Sequence, residues 1–592
     1  MYPSMQPTSC KVSGWTLLAL ASALTPSHAS AAPSNDSARC RGCHPAAYEA
    51  WSTSHHALAD QPPPELLRPP GSGALEVTRI LGVDPIWQPV LRTEDGHEQV
   101  YDRAFDVRRG EWFLAFDAPR PEGSWSHWRG RGMRFDTMCL ECHDTGVTRG
   151  YQPGTDTYAR EVAERGVGCA ACHGEADAHV SESSRPVQTV APDVETCGPC
   201  HSRRASLLDG KERATPMLDR YMLLTAGGGG RYHPDGQVKD EDFELASFLG
   251  SRMHDAGITC TTCHDPHRAE LRKPVDTLCA DCHDAQPGFQ RHGHHPEGGA
   301  DCVDCHMPVS TYMQRDPRRD HGFTLPDPAL SLEEGVPNAC NRCHEDRSAR
   351  WSLAQLERWF PDSSPRPTAL RARVIARLER TDPTVLEEAL AAIAREPNDY
   401  WRAVLVGQLA PFGRDPRVLA HAKSWADADD ALMRAKVGEL LAPHSDLESA
   451  RVLLEPLARD PVRAVRVSAQ RALALRRGPK GPRMKDLLAY LDANADQPAA
   501  ARERGWWLLA HREPEAARVW LQRAVQWDPE PVIAWRHLAA AAWSSRDPEG
   551  AIRALESGLA HHPEDAGLTR DLATLRARRT RSASVAGPST PP

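Results

Sequence analysis

The sequence predicts a mainly α chain in two unlike parts: a segment of little regular structure with a small β-rich insertion, then an α-solenoid. Two observations predict it. Sixteen of the 17 cysteines fall in eight Cys-x-x-Cys-His motifs between residues 40 and 344, in a stretch rich in Gly, Pro, His and Asp. From about Pro365 cysteine disappears, Ala, Leu, Arg and Glu dominate, and a 34-residue period emerges.

In chain order, residues 1–32 read as a signal peptide. Lys11 precedes the apolar run Trp15 to Leu24, and the small residues Ala29, Ala31 and Ala32 suit cleavage before Pro33. The run is short for a bilayer span, and no later segment qualifies. Cys10 lies ahead of it and is lost with it. Residues 33–351 form the motif-bearing domain, which has too few periodic apolar stretches for an ordinary core. Within it, Glu76 to Phe116 has short strand-like runs, with turns expected at Glu94-Asp95-Gly96 and Arg109-Gly110.

Residues 365–480 read as HEAT-like helical repeats. Asp382-Pro383, Asp415-Pro416 and Asp460-Pro461 each open a helical pattern, Asp capping it and Pro fitting the first turn. Residues 490–577 read as tetratricopeptide repeats: Ala517, Leu521, Ala524 and Pro529 recur as Ala551, Leu555, Gly558 and Pro563, with Trp535, Leu538 and Ala539 between them. Residues 578–592, rich in Ser, Arg and Pro, read as a disordered tail.

The motifs pair Cys40 with Cys43, Cys139 with Cys142, Cys169 with Cys172, Cys197 with Cys200, Cys260 with Cys263, Cys279 with Cys282, Cys302 with Cys305 and Cys340 with Cys343. In such a motif two thiols add to the haem vinyl groups, and the next residue turns its imidazole onto the iron. The proximal ligands are then His44, His143, His173, His201, His264, His283, His306 and His344. Eight covalently bound haems c follow, with iron as the metal. A zinc reading fails because zinc sites do not need His after every Cys pair. No cysteine of the mature chain is left for a disulfide.

Twelve further histidines lie before Trp351: His55, His56, His97, His127, His179, His233, His254, His267, His292, His294, His295 and His321. So many in one domain are expected to serve mostly as second axial ligands, giving bis-histidine haems. His56 follows Trp51 and Ser54 on a predicted helix, His179 follows Cys172-His173-Gly174, and His267 lies three residues past His264. His295 is expected with them, and His97, in a Gly-containing turn, is not. Asp320 is expected to orient a neighbouring group or hydrogen-bond an imidazole beside His321.

The quoted stretches Trp51-Ser-Thr-Ser-His-His-Ala57, Val167-Gly-Cys-Ala-Ala-Cys-His-Gly174, Cys263-His-Asp-Pro-His267, Arg318-Arg-Asp-His321 and Pro337-Asn-Ala-Cys340 resemble one known family. It is that of bacterial multihaem cytochromes c, of the cytochrome c-552/4 type, that end in tetratricopeptide repeats. The resemblance implies ligand positions at His56, His127, His179, His267 and His321, and at His233 and His254.

The net charge of −9 argues against a nucleic-acid binder. The expected function is electron transfer by an exported, periplasmic or otherwise extracytoplasmic octahaem cytochrome. A redox partner protein would dock on the haem domain or the repeats, with no nucleic acid involved and no transmembrane segment after signal cleavage. The rival reading is an octahaem oxidoreductase acting on a small nitrogen or sulfur compound at one open-coordinate haem. No motif is Cys-x-x-Cys-Lys, and only Lys211, Lys239 and Lys273 lie in the haem half, so the rival has few candidates for a lysine-ligated centre. A scaffold with mainly structural haems is the third class.

Overall fold

The structure is a computed structural model. It describes residues 36–585 apart from 66, 175, 186–192, 211–215, 228–229, 241–242, 284–291, 296–298, 362–365 and 475–483. The expected signal peptide, with Lys11 and Ala29 to Ala32, lies outside the described residues, as do Lys211 and the last seven residues of the expected tail.

The β-rich insertion is an antiparallel sheet of six strands: β1 (Asp60–Gln61), β2 (Glu76–Leu81), β3 (Ile86–Arg92), β4 (Glu98–Val100), β5 (Arg103–Asp106) and β6 (Glu111–Leu114). Their order is β1-β2-β3-β5-β6, with β4 also paired to β3. Both expected turns form. Gly96, at φ 85°, donates to the Thr93 carbonyl at 2.9 Å, and Gly110, at φ 67°, donates to Asp106 at 2.8 Å. Leu81, Val90 and Val100 pack on Phe135 and Leu140, which fixes the second motif against the sheet. Arg79 is buried on β2, 4.2 Å over the Phe135 ring. It pairs with Asp60, with Glu98 at 3.4 Å and with Asp144 at 3.4 Å. These carboxylates compensate a charge that burial alone would penalise heavily.

The rest of the motif domain consists of helical turns of three to nine residues and two-stranded ladders. Among the described residues between Phe248 and Leu330, the buried apolar side chains are Val303, Pro308 and Pro328. Such a stretch does not hold its shape through its own apolar packing.

From Pro367 to Ala474 seven α-helices pack in antiparallel succession, and six more follow from Lys485 to Val585. Asp382, Asp415 and Asp460 each accept a hydrogen bond from the amide two residues on, ahead of the helices that begin at Leu386, Pro416 and Arg463. The last helix, Ala566–Val585, runs past residue 578, where a disordered tail was expected. Arg576 and Arg579 hold it by pairing with Glu556 and Glu549 of the preceding helix. No helix among the described residues is long and apolar enough to cross a membrane.

The repeats lie against the motif domain. Ala226, Tyr232 and Ala246 of that domain share a core with Trp401, Val404 and Leu405. Trp401 donates through Nε1 to the Gly250 carbonyl at 2.8 Å, and Asn398 reaches Leu249 and Asp255. Further along, Asp496 accepts from Thr137 at 2.7 Å and from Tyr158 at 3.0 Å, and Asn494 donates to the Ser206 carbonyl at 2.6 Å. Arg131 stacks 3.8 Å over the Trp527 ring.

Candidate functional site: paired imidazoles around clustered cysteine motifs

The motifs sit on short helical turns. In four of them the histidine amide donates to the carbonyl of the first cysteine: His44 to Cys40 at 2.8 Å, His143 to Cys139 at 3.0 Å, His201 to Cys197 at 3.0 Å and His344 to Cys340 at 2.9 Å. One turn of helix thus gathers two thiols and one imidazole. None of the sixteen described cysteines forms a disulfide.

Six proximal histidines face a second histidine from elsewhere in the chain. The ring-centre separations are 6.2 Å for His44 with His179, 6.3 Å for His56 with His201 and 6.3 Å for His173 with His267. They are 6.3 Å for His264 with His321, 6.2 Å for His295 with His344 and 5.9 Å for His292 with His306. The angles between ring planes run from 12° to 77° while the distance hardly changes. Rings packed on each other would couple distance to angle. Two imidazoles bound to one metal atom would not: bonds of about 2.0 Å on each side put their centres roughly 6.3 Å apart. The residues present therefore fit an iron between each pair.

The hydrogen bonds agree with that orientation. Nδ1 of His56 contacts the Pro266 carbonyl at 3.1 Å, that of His143 the Ala59 carbonyl at 2.9 Å and that of His179 the Arg185 carbonyl at 2.7 Å. His306 and His321 likewise contact the carbonyls of Thr324 at 3.1 Å and Arg319 at 2.9 Å. A carbonyl fixes the proton on Nδ1 and leaves Nε2 free for a metal. Burial also pushes the His56, His173, His264 and His306 imidazoles below their ordinary value, favouring the neutral form that binds metal. His201 differs: its Nδ1 meets a carboxylate, Glu244 Oε2, at 3.3 Å.

The structure departs from the sequence expectation at several histidines. His127, His233 and His254 stand at pair spacing from no proximal ring among the described residues. His127 packs on Trp128 at 6.0 Å, and its Nδ1 accepts from the Arg129 amide. His254 meets Phe248 edge-on at 5.6 Å, and His233 is half-buried near Lys239 and Arg342. His97 is enclosed beside Tyr158, Asp95 and Asp156. His292, outside the expected ligand set, takes the place opposite His306. Asp320 does not touch an imidazole through a hydrogen bond: its carboxylate accepts from the Val238 and Gly322 amides, which pins the chain before His321. Two proximal rings remain, His143 and His283. His283 borders residues 284–291, outside the described residues. No second imidazole stands at pair spacing from His143 among the described residues.

The motifs also touch one another. The Cys40 thiol lies beside Cys169, and Cys142 lies within hydrogen-bond reach of Cys200. Cys197 meets Cys260 and lies near Cys172. Cys263 lies near Cys282, His306 near His283, and Cys305 near Cys340 and Cys343.

This arrangement is that of a multihaem c-type cytochrome, and three matches to known families agree. Residues 127–174 match the family described as cytochrome c554 and c-prime, residues 254–288 the doubled CXXCH motif, and residues 531–575 a tetratricopeptide repeat. They support covalently bound haem c, electron transfer and a C-terminal tetratricopeptide repeat. No curated protein matches. Among solved structures, the chain is similar to outer cell wall cytochrome OcwA, at 18% identity and a TM-score of 0.45. The likeness covers 73% of this chain and 99% of that one.

Proposed function

We propose that the chain is an exported octahaem cytochrome that transfers electrons along mostly bis-histidine haems. The observation that carries the reading is the near-constant ring separation in the six histidine pairs. Bound haem iron supplies reversible one-electron chemistry. The chain's own residues do the rest. Each Cys pair would hold a haem covalently, each proximal imidazole, aimed by its helical turn, would bind its iron, and the facing imidazole would keep exogenous ligands from that iron. Contacts between motifs run from Cys40 through Cys169, Cys197 and Cys260 to Cys282, and from His283 through His306 and Cys305 to Cys340. That keeps successive groups close enough for rapid exchange. A redox partner docks where the repeats leave the motif domain uncovered, or on the repeats' outer faces.

A second reading is favoured at one place. His143 has a carbonyl on Nδ1 and no imidazole at pair spacing among the described residues. An open iron there suits an oxidoreductase acting on a small nitrogen or sulfur compound. One experiment tests both readings. Purified mature protein is assayed for covalent haem by mass and pyridine haemochrome, and its reduced spectrum is recorded with and without carbon monoxide. The carrier reading expects eight haems with mostly low-spin iron. Six or fewer haems after competent maturation, or a predominantly high-spin protein, overturns it. One haem's worth of carbon monoxide binding that hydroxylamine or nitrite displaces supports the enzyme reading.

A further inference from the structure

Five haem-face histidines meet a backbone carbonyl through Nδ1: His56, His143, His179, His306 and His321. His201 instead meets a carboxylate, Glu244 Oε2, at 3.3 Å. The placement is built into the backbone. The Leu245 amide donates to the His201 carbonyl at 3.0 Å, which brings the start of the helix Glu244–Leu249 under the imidazole. Leu245, Ala246, Ser247 and Phe248 are buried and hold that helix in place.

A carbonyl and a carboxylate both accept the Nδ1 proton, but the carboxylate brings a full charge. It strengthens the hydrogen bond and moves electron density onto Nε2, making the imidazole a stronger donor to iron. A stronger axial donor stabilises the ferric state. We propose that Glu244 is a positioning residue that makes the haem held by His201 the lowest-potential haem of the array.

The location gives that difference a consequence. Cys200 touches Cys142, and Cys197 lies beside Cys172 and Cys260. Three other motifs therefore meet at this one. A low-potential group at the junction divides the array into two reservoirs. The motifs at Cys40, Cys139 and Cys169 lie on one side, and those from Cys260 to Cys340 on the other. Electrons cross the junction without resting on it.

The proposal rests on His201 and His56 being the ligands of one iron. That reading fails separately if His56→Ala leaves every haem low-spin. The direct test is Glu244→Gln, which keeps the shape and an accepting oxygen and removes the charge. Spectroelectrochemical titration of the fully loaded variant should show one haem, the last to be reduced in the wild type, become easier to reduce. The shift should be at least tenfold in its equilibrium, about 59 mV for one electron. Unchanged midpoints at wild-type haem content overturn the proposal. If Glu244→Gln fails to load haem, electron paramagnetic resonance of the oxidised wild type decides. One low-spin haem with an imidazolate-like signature supports the assignment. A uniform neutral-imidazole signature across all low-spin haems overturns it.

Discussion

Replacing Trp401 with alanine should destabilise the repeats and the haem domain together. The ring is 4% exposed and lies against two glycines of the motif domain: a Cβ on Gly236 or on Gly250 would come within 2.6 Å of it. Its Nε1 holds the Gly250 carbonyl at 2.8 Å, and Arg371 stacks on its face at 4.0 Å. Truncating a buried tryptophan costs about 3–5 kcal/mol through lost burial and the cavity left behind. The released carbonyl and the uncovered guanidinium keep the value near the top of that range. For a single cooperative unit of about 550 residues, with an unfolding entropy of about 2.1 cal/mol/K per residue, about 4 kcal/mol lowers the melting point by roughly 3–4 °C. The assay is a thermal melt of the haem-loaded protein followed at 222 nm for the repeats and at the Soret band for the haem domain. Both transitions should move down together, because the side chain belongs to one core shared by both parts. A melt in which the 222 nm signal falls while the Soret transition stays put would show that the two parts are energetically separate. The repeats would then fold without the haem domain, as their own Leu and Ala stripes suggest from sequence alone.

Two further outcomes are expected. His292→Ala should remove one of two strong-field nitrogens from the iron facing His306, so that one haem's worth of high-spin signal appears with unchanged haem content; a spectrum like the wild type's would reassign that ligand. His537 lies flat on Trp506, ring centres 4.1 Å apart, and burial followed by Arg502 and Arg536 pushes its imidazole down to about 4. The unfolded chain takes up that proton near pH 6.5, as free histidine does. Stability is therefore complete above that pH and declines as pH falls toward about 4, by roughly 1–2 kcal/mol after allowance for partial exposure. The pH dependence of the melting point should flatten in His537→Phe, and an unchanged slope would refute the assignment.

The division into a motif domain and a solenoid was legible because each rests on a local pattern. Cys-x-x-Cys-His is complete within five residues, the Asp-Pro helix starts need only the next turn, and the strand-like run with its two glycine turns is contiguous. Second ligands are another matter, since each is set by a long-range meeting of chain segments. In Arg291-His292-Gly293-His294-His295 nothing in the spacing separates the three histidines. The fold sends His292 to His306 and His295 to His344, and stacks His294 on Trp359 at 4.7 Å. His127 was drawn in by resemblance, but its flanking Trp128 and Arg129 offer it local partners. Glu244 carried no signal at all, because a lone glutamate opening a short helix looks like any surface residue until His201 is placed beside it.

The position of the repeats bears on where electrons enter and leave. Their contacts with the motif domain reach Pro326 to Val336, just ahead of the last motif, where Ala369 and Ala372 share a core with Leu330 and Val336 and Arg373 and Arg380 pair with Glu333 and Glu334. They also cover its middle: Arg131 to Tyr158 around Asp496, Ser206 and Asp219 around Asn494 and Arg463, and Leu249 to Asp255 around Asn398. These segments surround the motifs at Cys139 and Cys197, where the chain of contacts branches. The first and last motifs lie at two ends of that chain; the second cysteine is exposed in each, as it is in the motifs at Cys169 and Cys279. On the electron-transfer reading, a solenoid placed this way insulates the junction. Partners would then exchange electrons away from the junction.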